Sequence, residues 1–235
     1  MPDPFSGWGE LIAAFVAFFA SHRLPARPPI RERLVAALGP FVYMMAYSAL
    51  SVAVLAWLIV AAGRAPYVEI WPFAPWQLWA PNIAMPVALF LIVFGVAVPN
   101  PLSIAGKGTD RFDPQRPGIA GITRHPLIWG LTLWALAHLI PNGDLAHLIL
   151  FGLFAAFGLM GMATIDRRRK REWGEQVWNE RARHTAFVPF AGLETGKTRL
   201  SGFHQPIQRA LIAVALYIAL MLLHPVLIGV SPLPA

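Results

Sequence analysis

Along the chain, long apolar runs alternate with short polar segments, and almost no charge falls inside the runs. A helix needs about 20 residues to cross the hydrocarbon core, with a lower limit near 17. Six runs approach or exceed that length: residues 8–22, a stretch within 34–63, then 83–98, 127–141, 145–165 and 210–230. The first carries only Glu10 and stops at the proline-rich segment 24–29. The second is free of charge and histidine for thirty residues, with Ile30-Arg31-Glu32-Arg33 as a surface helix leading into it. Trp71, Trp76 and Trp79 precede the third, as suits a headgroup boundary. The fourth and fifth are joined by Asn142-Gly143-Asp144, a turn sequence, which predicts a short helical hairpin over 127–165. The sixth contains His224-Pro225. The expected fold is therefore all-α, a polytopic membrane bundle of about six transmembrane segments, with residues 1–235 forming one domain.

Composition sharpens this reading. With 57% hydrophobic and 13% charged residues and a mean hydropathy of +0.55, an ordinary soluble domain is excluded. Cysteine is absent, so disulfides, thiolate nucleophiles and iron–sulfur clusters are excluded, and histidine is the strongest nitrogen donor. Of the 19 lysines and arginines, 18 fall in the segments after the first, third and fifth runs, which places those segments in the cytoplasm and both termini outside it. Arg64 alone falls on the other side. The net charge of +7 then reflects the positive-inside pattern and attraction to anionic lipid, and argues against a nucleic-acid partner. The start, MPDPFSGWGE, lacks a basic region, so the first run is expected to be retained and not cleaved.

Ionisable groups inside a bilayer are costly, and each is a candidate for function. His138 lies three residues before the hairpin turn, one helical turn after Trp134. Two readings stay open: a neutral imidazole donating to a carbonyl or to Asp144, or a nitrogen ligand. His22 closes a stripe of Phe15, Phe18 and Phe19, which reads as core packing or as an apolar lining beside a ligand. Arg124-His125-Pro126 opens the fourth run, where a cation and an imidazole at a helix start suit an anionic group or an interfacial anchor. Thirteen residues separate His125 from His138, roughly 20 Å along a helix, so the two are expected to serve different sites. The run 166–171, DRRRKR, reads as a solvated stop-transfer face. The segment that follows, with Trp173, Trp178 and Phe187 to Phe190, reads as an amphipathic return to the membrane surface.

SHRLPARPPIRERLVAALG near the start, RHPLIWG and LWALAHLIPNGD in the middle, and DRRRKREWGEQVW with TAFVPFAG later, together resemble the NnrU family. That family includes the plant and cyanobacterial 15-cis-zeta-carotene isomerases. The resemblance implies an integral membrane protein of the bacterial cytoplasmic (inner) membrane that binds haem b, a flat apolar macrocycle that an aromatic stripe and one or two imidazoles would suit. It implies iron ligation by His22 and His138, with Arg124 and His125 ordering a propionate or a substrate group at the cytoplasmic mouth. Redox-dependent isomerisation of a hydrophobic polyene is the activity implied by the isomerase branch. A link to denitrification and nitric oxide, through assembly or regulation of a respiratory reductase, is implied by the bacterial branch. On the topology above, His22 and His125 lie at matching depth, which makes them the alternative pair.

A wider resemblance competes. Arg124-His125-Pro126, Asp166, Gly174, Trp178 and a Phe-Val-Pro ending are similar to membrane methyltransferases of the isoprenylcysteine carboxyl methyltransferase type, which implies S-adenosylmethionine and a lipid substrate. Those enzymes carry a Glu-Glu pair where this chain has Asp166-Arg167, so the likeness is read as one of helical scaffold.

Overall fold

The computed structural model describes residues 6–25, 27–194, 196 and 198–233. The expectations for the two chain ends fall on residues 1–5 and 234–235, outside the described residues. Among the described residues all regular structure is helical, and a single isolated bridge, Glu69 to Asp144, stands in place of any strand. In order the helices are α1 (Ser6–Arg23), α2 (Pro28–Arg64), α3 (Trp79–Gly95), α4 (Ile119–Ile122), α5 (Pro126–Leu139), α6 (Leu145–Ala182), α7 (Ala191–Glu194) and α8 (Pro206–Leu227). Short 3-10 turns at Pro75–Leu78 and Thr109–Arg111 complete the set.

All six apolar runs are helical. Among the described residues four segments are long and apolar enough to cross a membrane: α2, the turn with α3 (Pro75–Gly95), α6 and α8. α5 is a shorter apolar helix of 14 residues, and α1 has 18 but carries Glu10 and Arg23. This is a multi-pass membrane protein of the all-α class. Lipid-facing chemistry is evident on α8, where Ile207 and Val226 are 77% and 78% exposed, a surface that water would penalise.

Helix boundaries follow from local chemistry. Pro28 and Pro126 sit in the first turns of α2 and α5, where the missing amide costs nothing. α2 is kinked at Gly39 (φ +77°), followed by Pro40, so the basic start 30–33 and the uncharged span are two helical segments. α6 runs on through the charged stretch and kinks at Gly174 (φ +77°).

The chain forms two compact units, Met1–Pro72 with Gly143–Leu150, and Phe73–Asn142 with Phe151–Ala235. In the first, α1 runs antiparallel to α2. Glu10 meets Arg64 (3.4 Å) and Trp57 Nε1 (3.3 Å) at one end, while Tyr43 donates to the Pro25 carbonyl (3.1 Å) at the other. Asp144 caps α6, accepting from the His147 amide (3.1 Å) and pairing with His147 Nδ1 (2.7 Å). In the second unit, α3 packs along both α5 and α8. Gly130 lets α5 lie on the Ala88 carbonyl and Ile92 of α3, an approach that any side chain would block. Arg209 of α8 donates to the carbonyls of Val93 and Val96, satisfying acceptors at the end of α3. Leu91, Phe94, Val98, Ile119 and Ile122 form the core there.

Candidate functional site

Two side-chain constellations stand out in the second unit, one at each end of α5. At its start the chain at Thr123 and Arg124 runs against the segment 185–187. The Arg124 amide donates to the Ala186 carbonyl (2.9 Å), and Thr123 Oγ1 donates to the Phe187 carbonyl (2.8 Å). This pairing turns the guanidinium and the imidazole toward α6. Arg124 Nε donates to Asp166 Oδ2 and His125 Nε2 to Asp166 Oδ1, each at 2.8 Å. With Asp166 ionised, the His125 hydrogen sits on Nε2. In the neutral ring Nδ1 then accepts from the Ser103 hydroxyl, 3.2 Å away. Arg124 is further held by Thr185 Oγ1 (3.3 Å) and lies over the rings of Trp178 (5.5 Å) and Phe187 (5.6 Å). The His125 ring is fully buried, and its two partners in the ion network are 16% exposed.

Thus the anion that Arg124 and His125 meet is supplied by the chain itself. Both carboxylate oxygens and both ring nitrogens are engaged, so this geometry works as a lock between α5, α6 and the 185–187 segment. The sequence placed Asp166 in a solvated charge run, and the wider methyltransferase resemblance alone set it beside Arg124 and His125. Arg168, Arg169 and Lys170 do behave that way, pairing with Glu172 and Glu175 in solvent, while Asp166 turns inward. Ser103 lies in no motif of the sequence, and Thr185 opens TAFVPFAG without any role marked for its hydroxyl.

At the other end of α5, His138 Nδ1 lies 2.8 Å from the Trp134 carbonyl. A carbonyl only accepts, so Nδ1 bears the hydrogen and Nε2 the lone pair. The ring is surrounded by Trp134 (centroids 5.6 Å apart) and Phe151 (5.5 Å), with Phe154 stacked beyond Trp134 (5.8 Å). Asn142 donates to the His138 carbonyl (2.7 Å), closing the helix end. Donation to a carbonyl is observed, Asp144 pairs with His147 instead, and this hydrogen bond is compatible with either of the two readings of His138.

His22, in the first unit, repeats the same local design. Its Nδ1 lies 2.8 Å from the Phe18 carbonyl four residues back, again fixing the lone pair on Nε2, and its ring packs on Phe18 (4.1 Å) and toward Tyr47 (6.3 Å). Taken singly, each of these imidazoles has the donor chemistry of a haem ligand, since the macrocycle itself supplies four of the iron's nitrogens. An Nδ1–H held by a backbone carbonyl is the usual means of orienting a ligating imidazole. No group of three or more His, Cys, Asp or Glu able to hold a bare metal ion occurs among the described residues. Of the remaining histidines, His224 Nδ1 lies 2.8 Å from the Val230 carbonyl.

The fold and these constellations define a class: a polytopic helical membrane protein with oriented imidazoles in aromatic surroundings. The chain belongs to the NnrU protein family, which it matches over residues 10–232. It is 29% identical over 158 residues to the chloroplastic 15-cis-zeta-carotene isomerase of Arabidopsis thaliana, covering 66% of this chain and 41% of that protein. It is 29% identical over 101 residues to the chloroplastic 15-cis-zeta-carotene isomerase of Zea mays, covering 43% of this chain and 27% of that protein. The chain thus spans less than half the length of these curated relatives. No solved structure matches.

Proposed function

We propose that this protein binds haem b through imidazole and isomerises a cis double bond of a hydrophobic polyene within the bilayer. The observation that carries the proposal is the shared geometry of His138 and His22. Each has Nδ1–H committed to the carbonyl four residues back, so that Nε2 bears the lone pair, and each packs on the aromatic ring at that same position. Similarity to the two plant isomerases supports the substrate class.

Bound haem supplies a redox-active iron to which an unsaturated or small gaseous ligand can approach. The protein supplies orientation and exclusion of water. The backbone hydrogen bonds hold each ring in one tautomer and limit its rotation. Trp134, Phe151 and Phe154 give His138 an uncharged lining that accepts hydrocarbon. Arg124 and His125, locked on Asp166, fix the start of α5 and hence where its last turn sits. The working membrane is the bacterial cytoplasmic one, with the basic segments in the cytoplasm and both termini outside; a respiratory reductase is the partner if the denitrification branch applies.

The test is the optical spectrum of purified protein, oxidised and dithionite-reduced, for wild type, His22→Ala and His138→Ala, followed by chromatography of a 15-cis polyene incubated with each. The expected result is a Soret band that shifts on reduction, is altered in both variants, and accompanies all-trans-directed product only in wild type. A protein without a Soret band after haem is supplied ends the proposal, and S-adenosylmethionine binding then becomes the reading to measure. A haem-bearing protein that leaves the polyene unchanged retains the cofactor and removes the isomerase assignment.

A further inference from the structure

A cavity of about 290 Å³ opens in the second unit, away from His138, where the segment 98–119 meets the segment 202–204. Its floor is apolar, made of Phe94, Val98 and Ile119, with Phe112 and Phe203 on the walls. The rim is basic: Arg111, Arg116 and His204 line it and are exposed. One acid, Asp113, also lines it, with Oδ1 already accepting from the Gln115 amide (2.8 Å). Among the described residues neither Arg111 nor Arg116 has a carboxylate within ion-pair distance, although other basic residues of this protein do.

The walls are fixed by two glycines in left-handed backbone. Gly118 (φ +58°) donates to the Ser201 carbonyl (2.8 Å), and a side chain there would meet the Gly202 carbonyl. Gly202 (φ +85°) lies as close against the Arg116 carbonyl. The backbones on either side of the cavity therefore cross at a distance that only glycine permits. The space between basic rim and aromatic floor is a built feature and not a chance gap.

We propose that this cavity seats a phosphate group carrying an apolar chain, with the anion between Arg111 and Arg116 and the chain on the Phe94 and Phe203 side. Guanidinium groups match phosphate oxygens bidentately, and basic pockets beside membrane helices favour anionic headgroups. An uncharged polyene has no use for two free guanidinium groups, so this site is separate from the one proposed above. An anionic phospholipid and a soluble phosphate offer the same headgroup chemistry; the apolar floor distinguishes them.

The test uses the full chain in zwitterionic detergent. Short-chain phosphatidylglycerol, the matching phosphatidylcholine and inorganic phosphate are titrated in turn, and binding is read from the rise in the unfolding midpoint. The expected result is tight saturation by phosphatidylglycerol and none by phosphatidylcholine. The double variant Arg111→Ala with Arg116→Ala should bind about 30-fold more weakly, at roughly fivefold per arginine. Arg168→Ala with Arg169→Ala removes the same charge from α6 and should leave binding unchanged. Arg116→Gln alone, with an expected loss of about fivefold, serves if the double variant does not fold. Saturation by inorganic phosphate as tight as by phosphatidylglycerol, with the same dependence on Arg111 and Arg116, would keep the anion seat and overturn the part of the proposal that gives its ligand an apolar chain. Equal response to both lipids, or equal loss in the two double variants, would show diffuse membrane electrostatics and overturn the proposal.

Discussion

The two histidines of α5 lie thirteen residues apart on one helix and live in opposite chemical conditions. His125 is fully buried, with Nε2 on Asp166 and Nδ1 on Ser103, so every polar atom of the ring has a partner. His138 is half-buried among rings, and among the described residues its ring's one hydrogen bond is from Nδ1 to a carbonyl of its own helix. A ring with both nitrogens engaged holds structure together. A ring with one nitrogen fixed as donor has the other oriented for a ligand. Burial alone therefore ranks the two in the wrong order for chemistry, and the hydrogen-bond inventory ranks them in the right one.

The largest effect that can test this contrast is Asp166→Ala. It strands a buried imidazole and a guanidinium held between two aromatic rings, and breaking one partner of such a network costs about 3–5 kcal/mol. Chemical unfolding in detergent should show that loss, with partial recovery in Asp166→Glu. A loss below about 1 kcal/mol would mean the cluster is solvated and not a lock. His125→Ala comes next, at about 3 kcal/mol from the lost ring and the stranded Ser103 hydroxyl. In haem-loaded protein its spectrum should match wild type, and a changed Soret band in this variant would erase the division between the two ends of α5.

The positions of the six helices were readable from the spacing of apolar runs, because membrane helices need length and lack charge. At the start of α5 the cation and imidazole left two readings open, an anionic group or an interfacial anchor, and the carboxylate found there belongs to the chain itself. What hid was the identity of that anion. Asp166 stands at the head of a basic run, and nothing local marks which of Asp166 and Glu172 turns inward. That choice is made by the extended segment 185–187, which is brought to residues 123–125 by tertiary pairing alone. Glu10 and Arg64 hid in the same way: each was a lone charge in its own stretch, and antiparallel packing of α1 on α2 makes them partners. The common tautomer of His22 and His138 hid as well, since every helical residue has a carbonyl four positions back and the sequence could not show each ring turned onto it.

His138→Ala should be mild in stability and severe in spectrum. It removes one hydrogen bond to a helix carbonyl and part of an aromatic contact, together about 1 kcal/mol. The Soret band of haem-loaded protein should nevertheless shift or vanish. A loss near 3 kcal/mol with an unchanged spectrum would make His138 the structural residue and reverse the comparison with His125.

The smallest effect is expected at Glu172→Gln, and it isolates what separates two acids of one charged run. Glu172 pairs with Arg168 (2.6 Å) and Arg169 (3.0 Å), both contacts lying on the solvent side of α6. Asp166 pairs just as closely, but with a fully buried imidazole and a guanidinium that is only 16% exposed. If distance alone set the worth of an ion pair, the two substitutions would cost alike. If desolvation of the partner sets it, Glu172→Gln should leave the unfolding midpoint where it is, while Asp166→Ala lowers it sharply. Measuring both at low and high salt adds a second discriminant. Screening should weaken the Glu172 pairs and barely touch the Asp166 network, and a comparable salt response from both would place Asp166 in solvent after all.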